Sequence, residues 1–469
     1  MGGKGTSDAV GREGARARLH VLPPDPAAAE AAAFRLDREA PGLSARRTFS
    51  LAQRRAALRL FALAGLAGLI QPQLLPVIAM LFAPPVFAAI ILFRLFVLGV
   101  AHFPQKRAGG ADAATPLLPV YTILIALKDE AAVMPQLARA IAALIDLKLL
   151  IETADTATRA AIEAERWPEG TELLVVPPGS PQTKPRALNY GLARARGAYV
   201  VVYDAEDRPD PGQLRAAVEA FNRAGPQTVC LQAPLVGVPA RGGWLARQWT
   251  LEYAIQFGLI VPALARLGLP IALGGTSNHF RRTVLVAAGG WDAWNVTEDA
   301  DLGLRLARLG LRVGAIASPT LEAPPEKGGV WLAQRSRWLK GYVQTWCVLT
   351  RGRGDTGADA LPPAAQISVQ LTLGAAILSA LVHGPWALWC TACLISPGLS
   401  LGPLGTSALV LSLITGIASA TLAPGRQRLS VILTLPLYWP LQTIAMTRAL
   451  WSLARAPHYW AKTPHEVSS

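Results

Sequence analysis

The hydrophobic pattern divides the chain into an apolar hairpin, an alternating middle and an apolar tail. Residues 56–71 and 74–102 are nearly continuous apolar runs separated by Gln71-Pro72-Gln73. They predict two membrane helices joined by a tight turn, the first short against the roughly 20 residues a span usually takes. Pro84-Pro85 predicts a kink in the second. From 117 to 330 the period changes. Runs rich in Val, Ile and Leu predict strands at 120–127, 147–153, 173–177, 199–205 and 228–234. Helical patterns predict helices at 130–145, 155–166, 184–196, 211–224 and 298–309. Such alternation argues an α/β domain with a mostly parallel sheet covered on both faces. Ligands of such sheets lie beyond the carboxyl ends of the strands, where Asp155 and Asp204 fall. Residues 330–350 predict a helix bearing Trp331, Trp338, Tyr342 and Trp346 with Arg335, Arg337 and Lys340. Aromatic and basic together, this 331–360 segment is expected in the membrane interface. The runs 366–382, 385–397, 404–422 and 429–452 predict four more membrane helices, with a turn at His383-Gly384-Pro385. A cytoplasmic tail, 453–469, follows. No internal repeat is visible.

Composition sharpens this reading. The 469-residue chain is 52% hydrophobic and 16% charged, with mean hydropathy +0.32. Soluble domains average about a quarter charged, so much of the chain is expected in lipid. A net charge of +14 admits nucleic-acid binding or basic loops at a cytoplasmic membrane face. The Arg residues border the apolar runs, which favours the membrane. No zinc-finger, helix-turn-helix or RNA-binding signature is present, and no nucleic acid is expected as a partner. Residues 1–55, rich in Gly, Ala and Arg, are expected to form a disordered basic tail. The first apolar run begins too far from Met1 for a signal peptide. Arg46, Arg47, Arg54 and Arg55 precede the hairpin, and Lys106 and Arg107 follow it, placing both ends in the cytoplasm. Arg426 and Arg428 run against that tendency, which leaves room for a re-entrant C-terminal segment. Cys390 and Cys393 form a C-x-x-C, three positions apart within an apolar run, with no second pair for zinc. With Cys230 and Cys347 they suggest buried or membrane-edge thiols rather than disulfides.

The candidate chemistry lies between the two apolar blocks. It runs Asp155, Asp204-Ala-Glu206-Asp207, Thr297-Glu298-Asp299 and Gln334-Arg-Ser-Arg337-Trp338. Acidic residues hold a divalent cation on a diphosphate. A separate carboxylate takes a proton from a hydroxyl. An Arg meets phosphates bidentately, and a Trp offers a flat face to a sugar ring. Simpler roles compete. Acids at a strand exit also cap turns, and Thr297-Glu298-Asp299 suits a helix start, with Thr297 as its cap. Lys184 fits a phosphate contact or a solvated helix start. Gly274-Gly275 suggests a close backbone approach to substrate. His279, with no second His near, suits hydrogen bonding better than metal.

Together these pieces resemble family 2 glycosyltransferases of the membrane-embedded, cellulose-synthase-like kind. The matching segments are Leu127-Lys-Asp-Glu130, Lys184-Pro-Arg-Ala-Leu-Asn189, Tyr203-Asp-Ala-Glu-Asp207, Leu231-Gln-Ala-Pro234, Gly274-Gly-Thr-Ser-Asn-His279, Thr297-Glu-Asp299 and Gln334-Arg-Ser-Arg-Trp338. They cover about residues 117–350. The resemblance implies a GT-A fold, a UDP-sugar donor and inversion at the anomeric carbon. It implies Asp155 at the nucleoside, Asp204 and Glu206 on Mg²⁺ or Mn²⁺, and Asp299 as catalytic base. It also implies Lys184 and Arg337 as phosphate contacts, with Gln334 and Trp338 at the acceptor. Two departures stand out: Ala154-Asp155 replaces the usual doubled acid, and the loop around Ile145 is short.

Three functions follow. The first is an inverting transferase that extends a β-linked glycan at the cytoplasmic face of the inner membrane, with export partners unspecified. The second transfers a single sugar to a membrane lipid. The third is a non-catalytic membrane partner that retained the fold, a reading motivated by Ala154 and the short loop.

Overall fold

The computed structural model describes residues 16–17, 19–71, 73–103, 118–140, 146–239, 242–352, 361–425 and 427–460. Its centre is an eight-stranded sheet. The strands are β1 (His20–Leu22), β2 (Tyr121–Leu127), β3 (Asp146–Glu152), β4 (Glu172–Val176), β5 (Tyr199–Tyr203), β6 (Thr228–Gln232), β7 (Asn278–Arg281) and β8 (Arg312–Ala315). Their spatial order is β8-β6-β7-β5-β2-β3-β4-β1. All neighbours are parallel except β7, which runs antiparallel to both β5 and β6. The central strands are buried on both faces, which is why they read as continuous rather than alternating apolar runs. Leu124, Leu150, Val200 and Val202 face one core layer, and Ile125, Leu149, Val201 and Phe221 the other.

The five expected strands form within two residues of their expected limits. Three edge or antiparallel members, β1, β7 and β8, are too short to show a pattern. A second small sheet pairs Leu235–Gly237 with Thr320–Glu322, and Thr320–Glu322 with Arg208–Pro209. That pairing carries Glu322 toward the exit of β5. Part of the short loop near Ile145 lies outside the described residues, as do Pro72, Lys106, Arg107, Arg426 and residues 461–469.

The N-terminal segment corrects the expectation of a disordered tail over 1–55; residues 1–15 and 18 lie outside the described residues. β1 extends the sheet edge alongside β4. The Pro26–Glu39 helix, N-capped by Asp25, buries Ala29, Ala32, Ala33 and Leu36. It packs on the Lys184–Leu192 helix, where Asn189 donates to the carbonyls of Ala32 (2.9 Å) and Trp291 (2.7 Å). Asp292 accepts from the Ala45 amide at 2.5 Å, the Ser44 hydroxyl at 3.2 Å and the Trp294 amide at 3.1 Å. The low-complexity composition hid a helix whose small Ala face allows close packing.

The membrane segments also differ. Among the described residues three helices are long and apolar enough to span a bilayer: Phe82–His102, Pro363–Ile395 and Gly402–Leu422. No turn forms at His383-Gly384-Pro385. The helix runs through Pro385, and the Gly384 amide donates to Thr443 Oγ1 at 2.8 Å. The 429–452 run is divided into Leu429–Leu433, Leu435–Tyr438 and Leu441–Arg455. Pro436 and Pro440 remove backbone donors there. The 56–71 run begins earlier, as Leu51–Ile70 with a Ser50–Gln53 capping box. Its Arg54, Arg55 and Arg59 keep it outside the three candidate spans. The Gly328–Leu349 helix packs against other parts of the protein along much of its length. Trp331, Arg335, Leu339, Lys340 and Gln344 are buried within the protein. Lys340 donates to the carbonyls of Ala456 (3.3 Å) and Tyr459 (2.7 Å).

Asp292→Ala is expected to strand buried donors of the N-terminal segment and to cost about 2 kcal/mol. Thermal unfolding in detergent should show the loss, and limited proteolysis should cut between residues 19 and 50 before the rest. An unchanged melting point and cleavage pattern would contradict this tie.

Candidate functional site

One cavity of about 560 Å³ gathers most of the candidate chemistry. Lys184, Asp204, Glu206, Asp299, Gln334, Arg337 and Trp338 all line it. Asp155 does not. It caps the Thr156–Ala164 helix, accepting from the Thr158 amide at 3.1 Å, and also accepts from the Asp129 amide at 2.5 Å. Lys128, Glu130 and Glu152 line the cavity near it instead.

Asp204 leaves the carboxyl end of β5, as the sheet rule requires. Lys184 starts its helix and reaches across to this carboxylate, forming an ion pair with Asp204 Oδ1. Its ammonium also donates to the Gly275 carbonyl at 2.8 Å. Burial opposes the Lys184 charge, but Asp204, Glu298 and Asp299 together hold its pKa above that of an ordinary lysine. Asp207 turns away from the cavity. It accepts from the Asp204 amide at 2.8 Å and from the Thr276 hydroxyl, and burial with the charges of Asp204 and Glu206 raises its pKa well above the carboxylate range. Glu322, on the small sheet, is raised likewise by burial and by Asp207, Asp204 and Glu206.

The acidic triplet sits opposite. Thr297 occupies the N-cap position of the Glu298–Arg308 helix without a side-chain cap, contrary to expectation. Its hydroxyl donates to Asn295 Oδ1 at 3.4 Å, and its carbonyl accepts from Asp301. Gly341 allows the contact that places this triplet: a Cβ there would lie 2.2 Å from Thr297 Oγ1. Asp299 Oδ1 is buried with no hydrogen-bond partner. Burial raises the Asp299 pKa, while the Ala300 amide, Lys184 and Arg337 oppose the rise. The Gly275 backbone runs alongside this carboxylate; a Cβ there would stand 3.4 Å from Oδ2, an ordinary contact. Glu298 is pushed up to about 7, first by burial and then by Asp299.

The Gly328–Leu349 helix supplies the far wall. Gln334 Oε1 accepts from Trp249 Nε1 at 3.0 Å. Trp338 lies near-parallel to Tyr253, ring centroids 6.1 Å apart, with the Arg335 guanidinium 4.8 Å from its ring centre. Arg335 is bound to Glu252, whereas Arg337 Nε is buried without a partner, its guanidinium 5.4 Å from the Trp460 ring centre. His279 is a buried hydrogen-bonding residue, 2.7 Å from the Tyr121 hydroxyl, and burial lowers its pKa to about 3. All four cysteines are free. Glu252, Tyr253, Glu322 and Trp460 carried no motif signal.

Glu298 gives the site a pH signature. Its folded pKa, about 7, lies above the ordinary 4.5. The stability it contributes is complete below pH 4.5 and is lost as pH rises through about 7. Glu298→Gln is therefore expected to gain about 1–3 kcal/mol over the wild type at pH 8 and to lose that advantage near pH 4.5. Denaturation midpoints at both pH values check this; equal pH slopes would refute it.

The family description "Glycosyl transferase family group 2" matches residues 199–451. The probable glycosyltransferase YdaM of Bacillus subtilis (strain 168) is 27% identical over 53% of this chain and 60% of the relative. The beta-monoglucosyldiacylglycerol synthase of Synechocystis sp. (strain ATCC 27184 / PCC 6803 / Kazusa) is 27% identical over 50% of each chain. The poly-beta-1,6-N-acetyl-D-glucosamine synthase of Staphylococcus aureus (strain COL) is 28% identical over 34% of this chain and 38% of the relative. The aligned part of this chain thus spans between about a third and three fifths of the length of these relatives. With its matched segment, its mostly parallel GT-A sheet and its flanking apolar helices, the chain belongs to glycosyl transferase family group 2.

Proposed function

We propose that the chain transfers a sugar from a UDP-sugar to the end of a β-linked glycan, with inversion, at the cytoplasmic face of the inner membrane. The observation that carries this reading is the continuity of the cavity. From the acids it passes Trp338 and Tyr253 to Tyr438, Trp439, Thr415 and Ser419 on the membrane side. Aromatic faces interleaved with hydroxyls suit a chain of sugar rings.

A divalent cation fits the donor set. Asp204 and Glu206 offer hard carboxylate oxygens on the cavity wall. Among the described residues no three acidic, His or Cys side chains converge as a preformed cage. Mg²⁺ and Mn²⁺ sites of this kind use one or two carboxylates and complete their shell with substrate phosphates. When bound, the ion would neutralise charge on the departing diphosphate. Lys184, paired with Asp204, and Arg337 on the far wall add positive charge to the cavity. Asp299 is suited to take the proton of the acceptor hydroxyl, because its Oδ1 is uncommitted and its pKa is raised. As the proton leaves, the acceptor oxygen bonds to the anomeric carbon and the bond to the diphosphate breaks on the opposite face. Asp155, outside the cavity, would act on the nucleoside side through the Lys128–Glu130 loop it holds.

A second reading, transfer to a lipid, is favoured by Phe87, Ile90 and Ile91, which place membrane-helix side chains on the same wall. Product length separates the two. A ladder from purified protein and UDP-sugars supports polymerisation, and a single glycolipid refutes it.

Asp299→Asn is expected to bind UDP normally and to lose about 10²–10⁴-fold in transfer rate. Wild-type activity should fall as pH drops and Asp299 protonates, with an acid limb shared by the Glu298–Asp299 pair. Near-normal turnover by Asp299→Asn refutes the base. Asp204→Ala should lose Mn²⁺-dependent UDP binding in calorimetry; undiminished affinity would remove the cation from this carboxylate.

A further inference from the structure

The cavity does not end at the reacting groups. Between the membrane helices its wall includes Phe87, Ile90, Arg94 and Val97 on the Leu74–His102 helix, with His383 and Gln442 on others. Arg94 is the one Asp, Glu, Lys or Arg in the candidate span Phe82–His102. It lies eight residues before the end of that helix at His102, about 12 Å inward at the helical rise. A guanidinium at such depth is costly unless protein or ligand answers its charge.

The protein answers only part of it. Among the described residues no hydrogen bond or ion pair engages Arg94, and the carboxylate that acts on it is Glu252. Glu252 is already committed. Arg335 donates to it at 2.9 and 2.5 Å, and the Tyr438 hydroxyl at 2.9 Å. Two guanidiniums and one carboxylate leave one positive charge unanswered. His383, on a neighbouring helix, lies in the field of Arg94, and its Nδ1 is buried without a partner. Gln248 Oε1, on the same cavity wall, is also buried without a partner.

We infer that the membrane half of the cavity binds the phosphate of a lipid-linked acceptor, with Arg94 as its principal contact and His383 as a second. Phosphate matches a guanidinium bidentately. Phe87, Ile90 and Val97 offer an apolar wall to the lipid chain. Neutral sugar hydroxyls do not call for a cation at this depth, and an uncharged diacylglycerol would leave it unanswered. The inference rests on the reading of this cavity as the acceptor path.

The test needs no turnover. Full-length protein in detergent micelles is titrated with dioleoyl phosphatidylglycerol, dioleoylglycerol or inorganic phosphate, and native mass spectrometry counts what is bound. Wild type is expected to prefer the phospholipid over the diacylglycerol by at least about tenfold. Arg94→Gln should abolish that preference, and Arg94→Lys, which keeps the charge but loses the bidentate fork, and His383→Phe should each weaken it. If Arg94→Gln fails to fold, the Lys and His383 variants still decide. Equal binding of the two lipids, or an unaltered preference in both Arg94→Gln and His383→Phe, overturns the inference. So does complete displacement of phospholipid by millimolar inorganic phosphate, which would mark a site for a free anion. If lipid binding is lost from the scheme while a glycan ladder still forms, this inference falls and the transferase reading stands. If no transfer occurs but the Arg94-dependent preference persists, the lipid site stands and the transferase reading falls.

Discussion

A single buried ammonium organises the wall of acids on which the site depends. Lys184 spans from Asp204 to the Gly275 carbonyl, and the charges of Glu298 and Asp299 also act on it. Six acidic side chains, Asp204, Glu206, Asp207, Glu298, Asp299 and Glu322, share this region with Lys184 and Arg337. Like charges at such density cannot all remain ionised in a buried site. Asp207 and Glu322 are pushed toward their neutral forms, while Asp204 keeps a cationic partner. The arrangement divides the acids by role. Those bound to backbone and Thr276 shape the loop, and those facing the cavity remain for chemistry.

The sheet makes that division geometrically possible. β5 delivers Asp204 at its carboxyl end, and antiparallel β7 brings the preceding Gly274-Gly275 turn beside it. Gly275 runs beside Asp299, and Gly341 lets the Gly328–Leu349 helix lie directly on Thr297. A side chain at position 341 would push Thr297, and the carboxylates that follow it, away from the aromatic wall. The N-terminal segment supports the same assembly from behind. Asp292, three residues after Gly289 and five before Thr297, is anchored by Ser44 and Ala45, so the tail steadies the loop that leads into the triplet.

The cavity joins two solvents. At one end the groups are ionic; at the other, Phe87, Ile90 and Val97 are helix residues of a candidate span. Arg335, clamped by Glu252 and placed over Trp338, stands at the junction. Within the Q-R-S-R-W run, Arg335 is therefore a structural partner of the aromatic platform, while Arg337, also on the cavity wall, has a buried Nε without a partner.

Local pattern was enough for the parallel strands, because residues buried on both faces must be apolar throughout, and for the helices between them. It was also enough to bring seven of the eight candidate site residues into one cavity: short segments at strand exits and helix starts keep their chemistry in sequence order. Asp155 stands outside that cavity, capping a helix start, where a cap and a ligand contact use the same residue type. Long-range packing decided the rest. Whether an Ala-rich tail folds depends on the Asn189 and Asp292 partners that meet it, not on its own composition. Whether Pro385 ends a helix depends on Thr443 from a distant segment, which satisfies the Gly384 amide. Whether an aromatic and basic helix lies on a membrane or inside the protein depends on the surfaces that cover it. Hydropathy records what each residue can tolerate; only the tertiary structure decides which neighbour supplies it.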